Sequence, residues 1–186
     1  MKQETKAITA DGMVETREGG QAVIRFERRL AHPITRVWAA LTEPDELVKW
    51  WGEAQLDLAV GGSFKLRWLN TDDEGNSVEM DAKIAELEPP RLLEIVGDWG
   101  GESPDGERID DTRASLRWEL EPGGDSTLLR FTNTLALSAE GRTMVPAGWH
   151  YHLDALATAL DGGSVDIADP WAAWEPIHEA YLSKQA

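Results

Sequence analysis

Two histidines lie two residues apart in the stretch GWHYHLDALATAL, His150 and His152. A histidine pair can move protons or hold a metal, so its geometry decides much. The stretch reads as a helix, in which successive residues turn by about 100°. His150 and His152 then point roughly 200° apart, which excludes a shared metal. The i, i+4 pair of a metal helix such as HExxH is absent. His152 falls about 60° to one side of the stripe Trp149, Leu153, Leu156 and can edge into the interior. There it serves either as a satisfied structural histidine or as a ligand contact. His150 falls on the other side, at the rim or surface, and is expected to be a bystander.

Three further polar features sit where chemistry is conceivable. Asn133 is in phase with Leu129, Phe131 and Leu135 on an apolar strand face. A buried amide needs partners, either a neighbouring backbone group or the polar end of a ligand. Arg28 is in phase with Ile24, Phe26 and Leu30; it needs a carboxylate or an anionic ligand there, unless it snorkels from the strand end to water. Asp110 and Asp111 close the acidic loop GGESPDGERIDD, but without EF-hand spacing, so a solvated loop and candidate gate is expected rather than a metal site. No GxSxG, P-loop or GxGxxG motif stands in its proper context. With no cysteine, disulfides, thiolate nucleophiles and Cys-based zinc sites are excluded. No metal and no cofactor is expected, while a paired-carboxylate site stays open among 34 acids.

The elements that must position these residues follow from periodicity. QAVIRFERRL alternates as a strand with one buried face. HPITRVWAALTEPDELVKWW holds two short helices, one opened by Pro33 and one expected to be capped by Thr42, with Leu47, Trp50 and Trp51 on the apolar side of the second. AQLDLAV and SFKLRWLN read as a hairpin turned by Gly61-Gly62. SVEMDAKIAEL, RLLEIVGDW, TRASLRWELEP and STLLRFTNTLAL are further strands. Clean alternation means an antiparallel sheet with one solvated face. A long helix over about residues 143–160 carries the stripe Trp149, Leu153, Leu156, Leu160 that covers the other face. Gly162-Gly163 ends it. Residues 1–20 are read as a flexible tail with a little strand near Met13–Thr16, 21–162 as the domain, and 163–186 as an extension with a short helix. That helix would pack on the body or on a second copy of the chain, as a homodimer.

The chain has 186 residues, 41% hydrophobic and 28% charged, an ordinary globular composition. Its net charge of −16 repels nucleic acid and anionic membranes alike. No apolar run reaches the roughly 18 residues of a membrane span, and no apolar signal region opens the chain, so a cytoplasmic location is expected. Tryptophan is the outlier, nine against three Phe and two Tyr. Indoles fill cores but also suit ligand walls.

Four stretches, RRLAHPITRVWAALTEPDELVKWW, LDLAVGGSFKLRW, KIAELEPPRLLEI and GWHYHLDALATAL, together with the element order, resemble a known family over about residues 22–162. It is the α+β helix-grip fold of the SRPBCC or START-like superfamily, in the branch named after the activator of the heat-shock-protein-90 ATPase homologue, of the small single-domain bacterial type. The resemblance implies an antiparallel sheet of six to seven strands wrapped around a long C-terminal helix, two short helices after strand one, and a deep apolar cavity between sheet and helix. Roles in the superfamily include lipid and hormone binding, polyketide cyclisation and chaperone activation.

Periodicity does not distinguish a filled core from a hollow one; only the resemblance favours the cavity. Its expected wall is Trp68, Trp118 and Trp149 with Phe64, Met80, Leu116, Phe131, Leu153 and Leu156, and its polar contacts are Arg28, Asn133 and His152. The leading expectation is a non-enzymatic binder of a small, mostly hydrophobic molecule: lipid-, sterol- or polyketide-like. The alternatives are a cyclase- or hydrolase-like enzyme, with His152 or a cavity carboxylate as acid–base group, and a cochaperone-like module. The chaperone activator carries a separate preceding domain, for which no room is expected in this chain.

Overall fold

A computed structural model of the chain describes residues 11–17, 21–71, 77–100, 113–163 and 170–185. Eight strands form one antiparallel sheet: β1 (Met13–Thr16), β2 (Gln21–Leu30), β3 (Gly52–Leu56), β4 (Ser63–Thr71), β5 (Ser77–Glu88), β6 (Leu92–Gly100), β7 (Arg113–Pro122) and β8 (Thr127–Ala136). Their order in space is β1-β2-β8-β7-β6-β5-β4-β3. The helices are α1 (Ile34–Thr42), α2 (Pro44–Leu47), α3 (Gly141–Leu160) and α4 (Pro170–Gln185). The fold is the expected α+β one, with two short helices after β2 and a long helix against the sheet. The little strand at Met13–Thr16 pairs with β2 and brings the count to eight.

Alternation fixes which face is buried. On β7, Ala114, Leu116, Trp118 and Leu120 are buried, while Arg113, Glu119 and Glu121 are exposed. Register then lines the inner residues up across strands. Trp118 and Phe26 both pair with Phe131, and Leu116 and Ile24 both pair with Asn133. The solvated face carries charge ladders instead, with Arg117 on Glu86 and Glu94, and Arg130 on Glu27 and Glu121.

The sheet grips α3 on two sides. The stripe Trp149, Leu153, Leu156, Leu160 is buried against it as the spacing predicts. The helix stops at Gly162, which has φ +84°. Gly163 N–H donates to Thr158 O (2.9 Å) and Gly162 N–H to Ala159 O (3.1 Å), a Schellman ending that only a residue tolerant of positive φ closes without strain.

Two local expectations are corrected. Thr42 does not cap α2; it ends α1, and its hydroxyl donates back to Trp38 O at 2.8 Å. Gly61-Gly62 is not a two-residue hairpin turn. β3 stops at Leu56, and residues 57–62 form a longer loop in which Gly61 N–H donates to Ile84 O and Gly62 O accepts from Ile84 N–H. Pairing with β5 outcompetes the tight turn. The terminal helix is also longer than expected, at sixteen residues, and packs on α3. The acidic loop with Asp110 and Asp111 lies outside the described residues.

Candidate functional site

β4, β8 and α3 meet around a cleft of about 270 Å³. Its lining is Trp68 from β4, Asn133 and Leu135 from β8, and Val145, Gly148, Trp149 and His152 from α3. Gly148 leaves the cleft open: a Cβ at that position would meet no atom within 4 Å. A second groove, over β3–β5, is charged, and its cations are paired as Lys65–Asp81 and Arg67–Glu53. The apolar cleft is therefore the better candidate for an organic ligand.

Two hydrogen-bond chains frame the cleft. In the first, Trp68 Nε1–H donates to His152 Nε2 at 3.1 Å. An indole N–H only donates, so Nε2 is the accepting nitrogen and Nδ1 carries the proton. Nδ1 faces Trp50 O at 3.4 Å. Burial pushes the His152 imidazole down to about 4, against a weaker opposing effect of the Trp50 carbonyl. The ring is neutral at pH 7 with both nitrogens engaged, so it holds Trp68 rather than moving protons. In the second chain, Trp149 Nε1–H donates to Asn133 Oδ1 at 3.1 Å, and Asn133 Nδ2–H donates to Ser115 O at 3.1 Å. Because the indole fixes Oδ1 as acceptor, the amide orientation follows. Among the described residues, one amide proton and one lone pair of the Asn133 side chain have no partner.

Behind the cleft the interior is occupied. Trp51, 1% exposed, sits at the centre of an aromatic cluster. Its ring centroid lies 5.4 Å from Trp50, 5.9 Å from Phe64, 5.8 Å from Trp68, 5.6 Å from Trp118 and 5.5 Å from Trp149. Of the residues expected to line a cavity, Trp68, Asn133, Trp149 and His152 do come together. Phe64, Met80, Leu116, Trp118, Phe131, Leu153 and Leu156 are packed in the core, each at most 2% exposed, and none lines this cleft. Arg28 is also placed away from it. Its guanidinium lies 5.2 Å from the Phe26 ring centre, donates to Glu27 O at 3.2 Å and approaches Asp154 at 3.7 Å on the β2 side of α3.

The family model described as Activator of Hsp90 ATPase homolog 1-like protein matches residues 31–161. The chain belongs to this family. Within the Activator of Hsp90 ATPase homolog 1-like fold, the chain is similar to the crystal structure of CalU16 from Micromonospora echinospora. The two share 25% identity over 92% of this chain and 94% of that one, with a TM-score of 0.65. It is also similar to a protein of Bordetella parapertussis solved by NMR, with 26% identity over 94% and 91% of the chains and a TM-score of 0.66. No curated protein matches the chain by sequence.

Sequence reasoning missed the cleft's small and aliphatic walls, Leu135, Val145 and Gly148, and above all Trp51. Periodicity assigns Trp51 to the second helix, but α2 ends at Leu47 and a turn delivers the indole to the core. A signal was present: Gly52 follows it, and a Cβ there would collide with the Arg67 carbonyl of β4. A glycine is needed where the backbone comes that close. His150 lies outside the cleft, as expected, but it has partners that the sequence did not show. Its Nε2 lies 3.4 Å from Asp154, and its Nδ1 lies 3.3 Å from the Tyr181 hydroxyl of α4.

Proposed function

We propose that this protein binds a small, mostly hydrophobic molecule in the cleft between β4, β8 and α3, with no chemistry performed there. The observation that carries this reading is the cleft itself. Two indoles, Leu135 and Val145 supply apolar surface, Gly148 keeps the entrance free, and the Asn133 amide has hydrogen-bonding capacity to spare. Neutral, fully engaged His152 favours binding over acid–base turnover. Membership of a helix-grip family supports the same reading, although a fold alone does not specify a ligand.

The test is a panel of lipids, sterols and aromatic polyketides, followed by thermal shift and tryptophan fluorescence. A true ligand raises the melting temperature by mass action and perturbs Trp68 and Trp149 emission. The Gly148→Phe variant fills the cleft from a helix position with room for a side chain. It is expected to lose at least tenfold in affinity while melting no lower than the parent, since glycine is a poor helix residue. No response to any panel member, or unchanged affinity in Gly148→Phe, would sink the proposal.

A further inference from the structure

The aromatic cluster behind the cleft contains five buried or half-buried indoles. Three have partners for their N–H groups: Trp50 donates to Ala40 O at 2.9 Å, Trp68 to His152 and Trp149 to Asn133. The other two do not. Trp51 Nε1 and Trp118 Nε1 are buried with no hydrogen-bond partner among the described residues. The residues are 1% and 0% exposed, with ring centroids 5.6 Å apart. A buried donor left unpaired costs stability, and a core that satisfies its other indoles has no packing need to tolerate two such losses side by side.

Their position links the two orphans to the cleft. Trp51 packs against both cleft-lining indoles, Trp68 and Trp149, and Trp118 packs against Trp149 at 6.4 Å. The pair therefore forms the next layer inward. The two differ in how they are held. Trp118 is fixed on β7, with β6 and β8 on either side. Trp51 rides on the turn between four-residue α2 and the edge strand β3, where a small shift disturbs few backbone hydrogen bonds.

We propose that the indole N–H groups of Trp51 and Trp118, one layer behind the cleft wall, form a donor subsite that a ligand reaches when the Trp51 turn gives way. The ligand class it selects carries a carbonyl or equivalent hydrogen-bond acceptor on a flat apolar body. The flat body stacks among Trp68, Trp149 and Trp51, and the acceptor oxygen takes the unpaired N–H. A pure hydrocarbon chain gains nothing from such a subsite, whereas an aromatic ketone or quinone does. This inference rests on the cleft being a ligand site and specifies which chemistry it prefers.

The experiment compares 9-fluorenone with fluorene, two molecules of nearly the same shape that differ by one carbonyl oxygen. Affinities are read by calorimetry on the full chain and on Trp51→Phe, Trp118→Phe and the double variant. The parent is expected to bind the ketone at least tenfold more tightly than the hydrocarbon. Each single variant narrows that ratio about threefold or more, and the double variant brings it near one, whatever the loss of indole surface does to the affinity for fluorene itself. A second readout does not depend on the variants folding: in ¹⁵N-labelled parent protein, two indole N–H resonances move downfield with fluorenone and stay with fluorene. Equal affinities for the two probes, or a ratio that survives the double substitution, overturn the donor subsite and leave the cleft standing. If neither probe binds the parent while a member of the lipid and sterol panel does, the donor subsite falls and the cleft reading stands; if nothing binds, both fall.

Discussion

At the residue scale, His152 couples the cleft to pH. Its imidazole titrates near 6.5 in an unfolded chain and is pushed to about 4 in the fold by burial. Between those values the unfolded state binds the extra proton, so stability rises with pH through that window. The contribution is complete above about pH 6.5 and lost as pH falls toward 4. At 1.36 kcal/mol per pKa unit it amounts to roughly 3 kcal/mol. Protonation of Nε2 also turns the acceptor of the Trp68 indole into a second donor, so the bond that spans β4 and α3 breaks. Urea unfolding at intervals between pH 7 and 4.5 should therefore show a steep loss of stability in the parent. His152→Gln can accept from Trp68 and donate to the Trp50 carbonyl without titrating, so its slope should be shallower by up to about 1.4 kcal/mol per pH unit. Identical slopes for the two proteins would show that His152 is not the coupled group. Asp11 and Glu46, held below the usual carboxylate range by Lys184 and Lys49 hydrogen bonds, titrate lower and act on both proteins alike.

At the scale of elements, the strands and α3 were legible because their signals are local. Alternation at period two and a stripe at 3.6 residues are written into each segment, and burial follows them residue by residue. What was not legible depends on partners distant in sequence. The early end of α2, which moves Trp51 from a helix face to the core, is decided by how closely β3 approaches β4. His150 lies off the apolar stripe of α3, as its helical angle predicts. Besides Asp154 one turn on, it touches Phe26 of β2, Tyr181 of α4 and Asp11 ahead of β1. The Tyr181 hydroxyl lies 3.3 Å from His150 Nδ1 and accepts from Gly12 N–H at 2.7 Å. Lys184 pairs with Asp11 at 2.6 Å. One hydroxyl thus joins α4, α3 and the segment leading into β1. Removing it in Tyr181→Phe leaves the Gly12 N–H unpaired at a cost of about 1–3 kcal/mol. Because the site is peripheral, the loss should appear as local opening. Hydrogen exchange in 170–185 and at Gly12 should speed up by about tenfold or more, with β7 and β8 amides unchanged. Unaltered protection in α4 would mean that apolar packing alone holds the helix.

At the scale of the whole molecule, the charge is far from balanced. Eighteen basic residues face 34 acidic ones, for a net charge of −16. Several of the cations are held in carboxylate ladders on the solvated sheet face, such as Arg117 with Glu86 and Glu94. Each exposed pair is worth little, about 0–1 kcal/mol, and salt weakens it. The surplus of carboxylates acts in the opposite direction, because self-repulsion destabilises the compact state and salt screens it. The Debye length falls from about 30 Å at 0.01 M to about 10 Å at 0.1 M, so long-range repulsion is lost before contacts at 3 Å are affected. Repulsion among the surplus acids is the long-range effect, and the ladders are the short-range one. Raising sodium chloride from 0.01 to 0.3 M should therefore stabilise the fold by roughly 1 kcal/mol, a rise of about 2–4 °C in melting temperature for a chain of this size. Most of the rise should come below 0.1 M, where the Debye length changes most. The same titration at pH 4.5, where a share of the carboxylates is protonated, should give a smaller rise. A melting temperature that falls with salt at pH 7 would mean that the ladders, not the surplus charge, dominate the electrostatic stability of this fold.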